Sequence, residues 1–280
     1  MRLRYRIVNV FTHGSGRLTG NPLCVFEDAA ALDTVQMQAL ALQFNLSETC
    51  FVTRSEKADA RLRIFAPTYE MPFAGHPTLG AAHVVRDLED LPAHVSLELN
   101  VGVIPVSADG SLLELRANPA TQRTPRASPA SLAAALGLDE PDISGPPLWV
   151  NTGTEQLIVP LASAEAVRRV RISYGPLARA TSDGARPNAY VFAETGAGSL
   201  LSRYFFSKSE AMVEDPATGS ATANLGGWYL AHNPTLPLSL AISQGEMTGR
   251  PSTLRLRIDE SGNVYVAGAV IEIGRGEIDL

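Results

Sequence analysis

At 280 residues the chain suits one large domain or two smaller ones, and 45% hydrophobic against 19% charged residues is the balance of a globular protein. A formal charge of −6 and a pI near 5.4 argue against a nucleic-acid-binding surface. Two cysteines, Cys24 and Cys50, are too few for a disulfide framework or a metal cluster. They read as reduced thiols of a cytoplasmic protein, with a single bridge as the alternative. The N-terminal Met1-Arg2-Leu3-Arg4-Tyr5-Arg6 is followed by no apolar core or cleavage site, so no targeting signal is read. The uncharged run 216–244 is interrupted by Asn224, Gly226, Gly227, Pro234 and Pro237, so no membrane span is expected.

Taken in order, 5–11 is rich in β-formers and predicts a strand. The glycine-bearing loop 13–22 lacks the G-x-G-x-x-G spacing and leads to a strand at 23–26, which predicts a hairpin rather than a nucleotide loop. Val35, Met37, Leu40, Ala41 and Phe44 have helical spacing behind an N-cap at Asp33 or Thr34. Strands are predicted at 50–53 and 60–65, then a proline-bearing descent to His76 and a helix over 78–86. Strands at 95–99, 102–106 and 112–116 follow. The polar, proline-bearing 118–126 is the best domain boundary. Beyond it come helices at 129–138 and 165–170, and strands at 156–160, 190–193 and 202–206. A small-residue helix is predicted over 220–231, and separate strands over 252–258, 264–267, 270–273 and 277–280.

Two stretches echo each other. His76-Pro77-Thr78-Leu79-Gly80-Ala81-Ala82 and Asp215-Pro216-Ala217-Thr218-Gly219-Ser220-Ala221 both fit x-Pro-x-x-Gly-small-Ala. From Phe51 to His76 is 25 positions, and from Val191 to Asp215 is 24. The repeated order of strand, strand, proline turn and small-residue helix implies an internal duplication. Ala221, Ala223, Leu225, Gly226, Trp228, Tyr229 and Leu230 leave no polar stripe, and a helix of that kind is buried. The fold class expected is therefore α+β: two similar domains, each a curved, mostly antiparallel sheet or barrel around a central helix.

Each helix start offers free N–H groups to an anion, with the proline expected in the first turn. If two such domains face one another, one cleft would hold His76 and Gly75 with Asp215, Thr218, Gly219 and Ser220. His76 and Asp215 could then supply hydrogen bonds or transfer protons. Against this stand plainer roles, a satisfied histidine at a turn and an acidic helix cap. The five histidines show no paired spacing for a metal, and no G-x-S-x-G elbow is present.

Asn21-Pro22-Leu23, Phe44-Asn45-Leu46-Ser47-Glu48-Thr49, Pro72-Phe73-Ala74-Gly75-His76-Pro77-Thr78, Glu214-Asp215-Pro216-Ala217-Thr218-Gly219-Ser220-Ala221 and Gln244-Gly245-Glu246-Met247-Thr248-Gly249-Arg250-Pro251 together resemble the phenazine-biosynthesis PhzF-like family. The resemblance implies a diaminopimelate-epimerase-like fold, with domains 1–118, completed by about 267–280, and 119–266. It implies a homodimer and a cofactor-independent isomerase, cytoplasmic, acting on a small amino- or hydroxy-carboxylate. A leading family example isomerises trans-2,3-dihydro-3-hydroxyanthranilate. It also implies that Glu48 is the proton-shuttling acid and base, with His76, Asp215 and Ser220 in the same pocket and Gly75, Thr78, Thr218 and Gly219 binding substrate. Read alone, Glu48 would be a solvated charge. The related epimerases use two cysteines where this chain carries Gly75 and Asp215, so a two-thiol racemase is excluded by residue type. An epimerase using Glu48 and Asp215, or a metabolite-binding protein without catalysis, are the alternatives.

Overall fold

The computed structural model describes residues 1–208 and 210–280. The first strands and helix are β1 (Arg2–Val10), β2 (Asn21–Phe26), α1 (Thr34–Phe44), β3 (Thr49–Thr53), β4 (Ala60–Ala66) and β5 (Tyr69–Met71). They are followed by α2 (Gly75–Leu88), β6 (His94–Leu99), β7 (Gly102–Asp109), β8 (Leu112–Arg116) and β9 (Thr121–Arg123). Next come α3 (Pro129–Leu136), β10 (Leu148–Asn151), β11 (Glu155–Pro160), α4 (Ala164–Arg169), α5 (Tyr174–Ala180), β12 (Asn188–Gly196), β13 (Ser199–Lys208) and β14 (Ala211–Asp215). The chain closes with α6 (Gly219–Ala231), β15 (Leu238–Gln244), β16 (Ser252–Ile258) and β17 (Val264–Asp279). It divides into two compact units, Met1–Arg116 with Ala267–Leu280, and Ala117–Val266.

In the first unit the strands form a closed ring. β17 pairs with β1, β1 with β2, β2 with β3, β3 with β4, β4 with β6, β6 with β7, β7 with β8, and β8 with β17 again. Closure removes exposed strand edges, and the last strand of the chain supplies the stave between β8 and β1. Helix α2 lies inside, packed on β1, β2, β3, β4, β6 and β8. Its residues 75–82, Val84 and Val85 are buried. The fit demands small side chains: a Cβ on Gly80 would stand 2.5 Å from Leu23 Cδ2 and 3.0 Å from Val10 Cγ2. Outside the ring, α1 packs Met37, Leu40 and Ala41 with Phe26, Phe51 and Phe65. Alternation along the strands thus feeds both faces.

The second unit repeats this topology. β11–β12 is parallel as β2–β3 is; β12–β13 and β13–β14 are antiparallel as β3–β4 and β4–β5 are; β13–β15 is parallel as β4–β6 is; β15–β16 is antiparallel as β6–β7 is. Helix α6 packs on β9, β10, β11 and β16, with residues 219 and 221–227 buried. Gly227 meets Ala120 Cβ so closely that its own Cβ would lie 2.5 Å away. A second core around Trp149, Leu132, Leu136, Val167 and Leu177 fills the space under α3, α4 and α5.

The duplication expected from the sequence is present in the topology, but the motif echo that suggested it is out of register. The first helical bonds run from Thr78 N–H to the Ala74 carbonyl and from Thr222 N–H to the Thr218 carbonyl. Thr78 is therefore the counterpart of Thr222, and Gly75 that of Gly219. Pro77 lies inside the first turn, where a missing N–H costs nothing. Pro216 stands before the N-cap Thr218, outside the helix. The first helix also starts three residues earlier than predicted. At the chain end, one strand replaces the three short ones. Its glycines make room for aromatic rings: a Cβ on Gly276 would meet Tyr5 Oη at 2.7 Å, and Gly268 lies against Phe11. β5, β9, α5, β14 and β15 are not anticipated by the sequence reading; β9 lies within the stretch read as a boundary loop.

Candidate active site

In the first unit, the site is built at one end of β2 and β3. Helix α1 stops at Asn45, which takes the left-handed conformation with φ 50°. The chain turns into β3, where Thr49 pairs with Cys24. Glu48 is the last residue before that strand, held at its start rather than on a solvated loop. Its side chain is 17% exposed, and Oε2 lies 3.4 Å from His76 Nε2. His76 occupies the first turn of α2 and is buried. Its ring hydrogen-bonds the Pro22 backbone, where the carbonyl is the only group available. Among the described residues Nε2 makes no hydrogen bond, which assigns the Pro22 bond to Nδ1. Burial pushes the imidazolium down to about 3, against the opposing pull of that carbonyl. The ring is thus neutral at pH 7, so its 3.4 Å approach to Glu48 is not an ion pair.

The Thr78 hydroxyl donates to the Ala74 carbonyl at 2.7 Å and is fully buried. The Gly75 and His76 N–H groups are first-turn amides. Cys50 Sγ lies 3.7 Å from the Pro77 carbonyl on the inner face, whereas Cys24 belongs to the outer core. Both thiols are free, and burial pushes both up.

In the second unit, Asp215 ends β14 and the chain turns into α6. Thr218 Oγ1 donates to Asp215 Oδ2 at 2.5 Å. Because its hydroxyl is so used, Thr218 does not cap its own helix. Gln244, 1% exposed on β15, takes over. Its Oε1 accepts the Thr218 N–H at 3.3 Å, and its Nε2 donates to the Asp215 carbonyl at 2.9 Å and to Thr218 Oγ1 at 3.0 Å. Gly245, φ 79°, lets the following turn close, since a Cβ there would lie 2.5 Å from the Pro216 carbonyl. Gly219 and Ser220 open the helix, and Gln156 Nε2 donates to Ser220 Oγ at 3.0 Å.

Glu48 and His76 are brought together in one unit, and Asp215, Thr218, Gly219 and Ser220 in the other. Sequence reasoning missed Gln156 and Asn224 altogether. It quoted Gln244 within a motif without giving it work. The signal available was a carboxamide at an inward strand position for Gln156 and Gln244, and a polar residue within an otherwise apolar helix for Asn224.

A carboxylate beside an imidazole in the first unit, and a carboxylate beside helix-start amides in the second, are groups able to exchange protons or hold an anion. Comparison with known proteins gives the class: the chain is an isomerase. It belongs to the PhzC-PhzF family, described as phenazine biosynthesis-like protein, whose model matches residues 8–275. It is 39% identical to an uncharacterized isomerase of Pasteurella multocida over 98% of this chain and 93% of that one. It is 35% identical to trans-2,3-dihydro-3-hydroxyanthranilate isomerase of Pseudomonas aeruginosa over 92% and 91%. Its fold is similar to that of a Bacillus anthracis PhzF-family protein, with a TM-score of 0.87, 23% identity and all of both chains covered.

Proposed function

We propose that this isomerase relocates a proton within a small amino- or hydroxy-carboxylate, without a cofactor, and that Glu48 alone carries the proton. The observation that carries this is the 3.4 Å approach of Glu48 Oε2 to the Nε2 of a buried, neutral His76. As base, the Glu48 carboxylate takes a proton from carbon, and the C–H electron pair enters the adjacent unsaturated system. The same carboxyl returns the proton at a second carbon, so atoms and charge balance and the double bond migrates. Because His76 Nδ1–H is held by Pro22, Nε2 presents a lone pair, and this can receive the Glu48 O–H during the interval. First-turn amides of α2 and α6 favour negative charge on the substrate. In this proposal Gly75, Thr78, Thr218, Gly219 and Ser220 bind substrate, and Asp215 polarises it. A cytoplasmic homodimer belongs to the same proposal, on the family resemblance; light scattering at twice 29.8 kDa tests the dimer.

The test is turnover in heavy water with trans-2,3-dihydro-3-hydroxyanthranilate and a panel of small carboxylates. Deuterium at the new carbon with bond migration is expected from wild type. Glu48→Gln should lower kcat by at least about 10²-fold while leaving the circular dichroism spectrum unchanged. Full activity in that variant would sink the assignment. Deuterium with inverted configuration and no bond migration would favour an epimerase instead.

A further inference from the structure

The hydroxyl of Ser220 is wired back to fixed backbone groups through two buried carboxamides. The Thr152 backbone N–H can only donate, and it donates to Asn224 Oδ1 at 2.9 Å, joined by the Thr152 hydroxyl at 2.8 Å. The Thr154 carbonyl can only accept, and it takes Asn224 Nδ2 at 2.8 Å. These two groups dictate which way the Asn224 amide faces. Its remaining N–H then goes to Gln156 Oε1 at 2.7 Å. That in turn leaves the Gln156 NH₂ facing Ser220 Oγ at 3.0 Å. Asn224 is fully buried and Gln156 is 2% exposed, so water does not compete for these bonds. Ser220 therefore receives a hydrogen bond, and its own proton has no acceptor among the described residues. Ser220 is half-buried and sits in the first turn of α6.

We infer that Gln156 and Asn224 are positioning residues that preset Ser220 as a donor toward an anionic oxygen of the substrate. The inference rests on the proposed carboxylate-binding role of the α6 start, and it adds a specificity device to it. A ligand offering an acceptor at that point, such as a carboxylate, is favoured over one offering N–H donors, such as the matching carboxamide. The polarity is set by backbone groups of the Thr152–Thr154 turn and does not adjust to the ligand.

A binding cycle on the intact protein tests this, with anthranilate and anthranilamide as probes in titration calorimetry. Wild type should bind anthranilate at least tenfold more tightly than the amide. In Gln156→Glu the new carboxylate still accepts from Asn224 but also accepts the Ser220 proton, turning it away from the ligand. The tenfold preference should vanish. In a Ser220→Ala background the same change should have no further effect, because its action runs through that hydroxyl. If Gln156→Glu does not fold by circular dichroism, Gln156→Met replaces it in the cycle with the same expected non-additivity. Retained preference in the variant, independent effects of the two substitutions, or no preference in wild type would each overturn the inference. Failure of turnover with an intact binding cycle would instead remove the isomerisation chemistry and leave the positioning role standing.

Discussion

The His76 imidazole is neutral because burial denies it the solvation a cation needs, and this makes the fold itself sensitive to acid. Above about pH 6.5 neither folded nor unfolded chain holds a proton there. Below it the unfolded chain takes one up while the folded ring, titrating at about 3, does not. Stability contributed by His76 is thus complete above 6.5 and drains as pH falls toward 3, by at most about 1.4 kcal/mol per pH unit. Urea unfolding at pH 7.0, 5.5 and 4.5 should show a shallower loss in His76→Gln than in wild type. Gln244 offers a second residue-scale test. Gln244→Ala removes the bonds its carboxamide makes to the buried Thr218 N–H and to the Asp215 carbonyl, at a cost of about 1–3 kcal/mol by urea unfolding.

At the level of elements, both central helices are tolerated only because their sequences are small where they touch strands. Gly80→Ala would push a methyl into Leu23 and Val10 inside a closed ring, where neither can retreat. A destabilisation of about 1–3 kcal/mol is expected, read as a lower urea midpoint with an unchanged m-value. Helix α1 depends instead on its ends. Asp33 Oδ1 accepts the Gln36 N–H at 2.8 Å and Gln36 Oε1 accepts the Asp33 N–H at 3.0 Å, a reciprocal capping box. Asp33→Ala should cost about 1 kcal/mol in the same measurement.

For the molecule as a whole, the first unit is closed by residues the chain makes last. Arg6 on β1, 3% exposed, bonds Glu27 at 2.6 Å, Asp87 of α2 at 2.5 Å and Glu272 of β17 at 3.0 Å. One guanidinium thereby ties together the first strand, the central helix and the final strand. Arg6→Met takes from the Glu27 carboxylate its 2.6 Å partner, leaves it the Arg4 contact at 3.4 Å, and is expected to destabilise by about 3 kcal/mol. Truncation after residue 266 removes the stave between β8 and β1. Hydrogen exchange should then show β1 and β8 unprotected in a chain whose second unit keeps its protection.

The repeated order of strand, strand, proline turn and small-residue helix was enough to indicate an α+β duplication, because the periodicity that marks each element is local and burial imprints it on neighbours. The N-cap, placed at Asp33 or Thr34 and found at Asp33, and the uniform apolarity of α6 were legible for the same reason. Register was not. The x-Pro-x-x-Gly echo is five residues out of step between the helices, since a proline suits either the first turn or the turn before it. Nor could the sequence alone raise Glu48 above a surface charge, or find Gln156, Asn224 and Gln244. Those roles depend on partners far along the chain: His76 for Glu48, Ser220 for Gln156, Thr218 for Gln244. Such pairings are decided when strands close around a helix, and only the tertiary structure brings them within hydrogen-bonding distance.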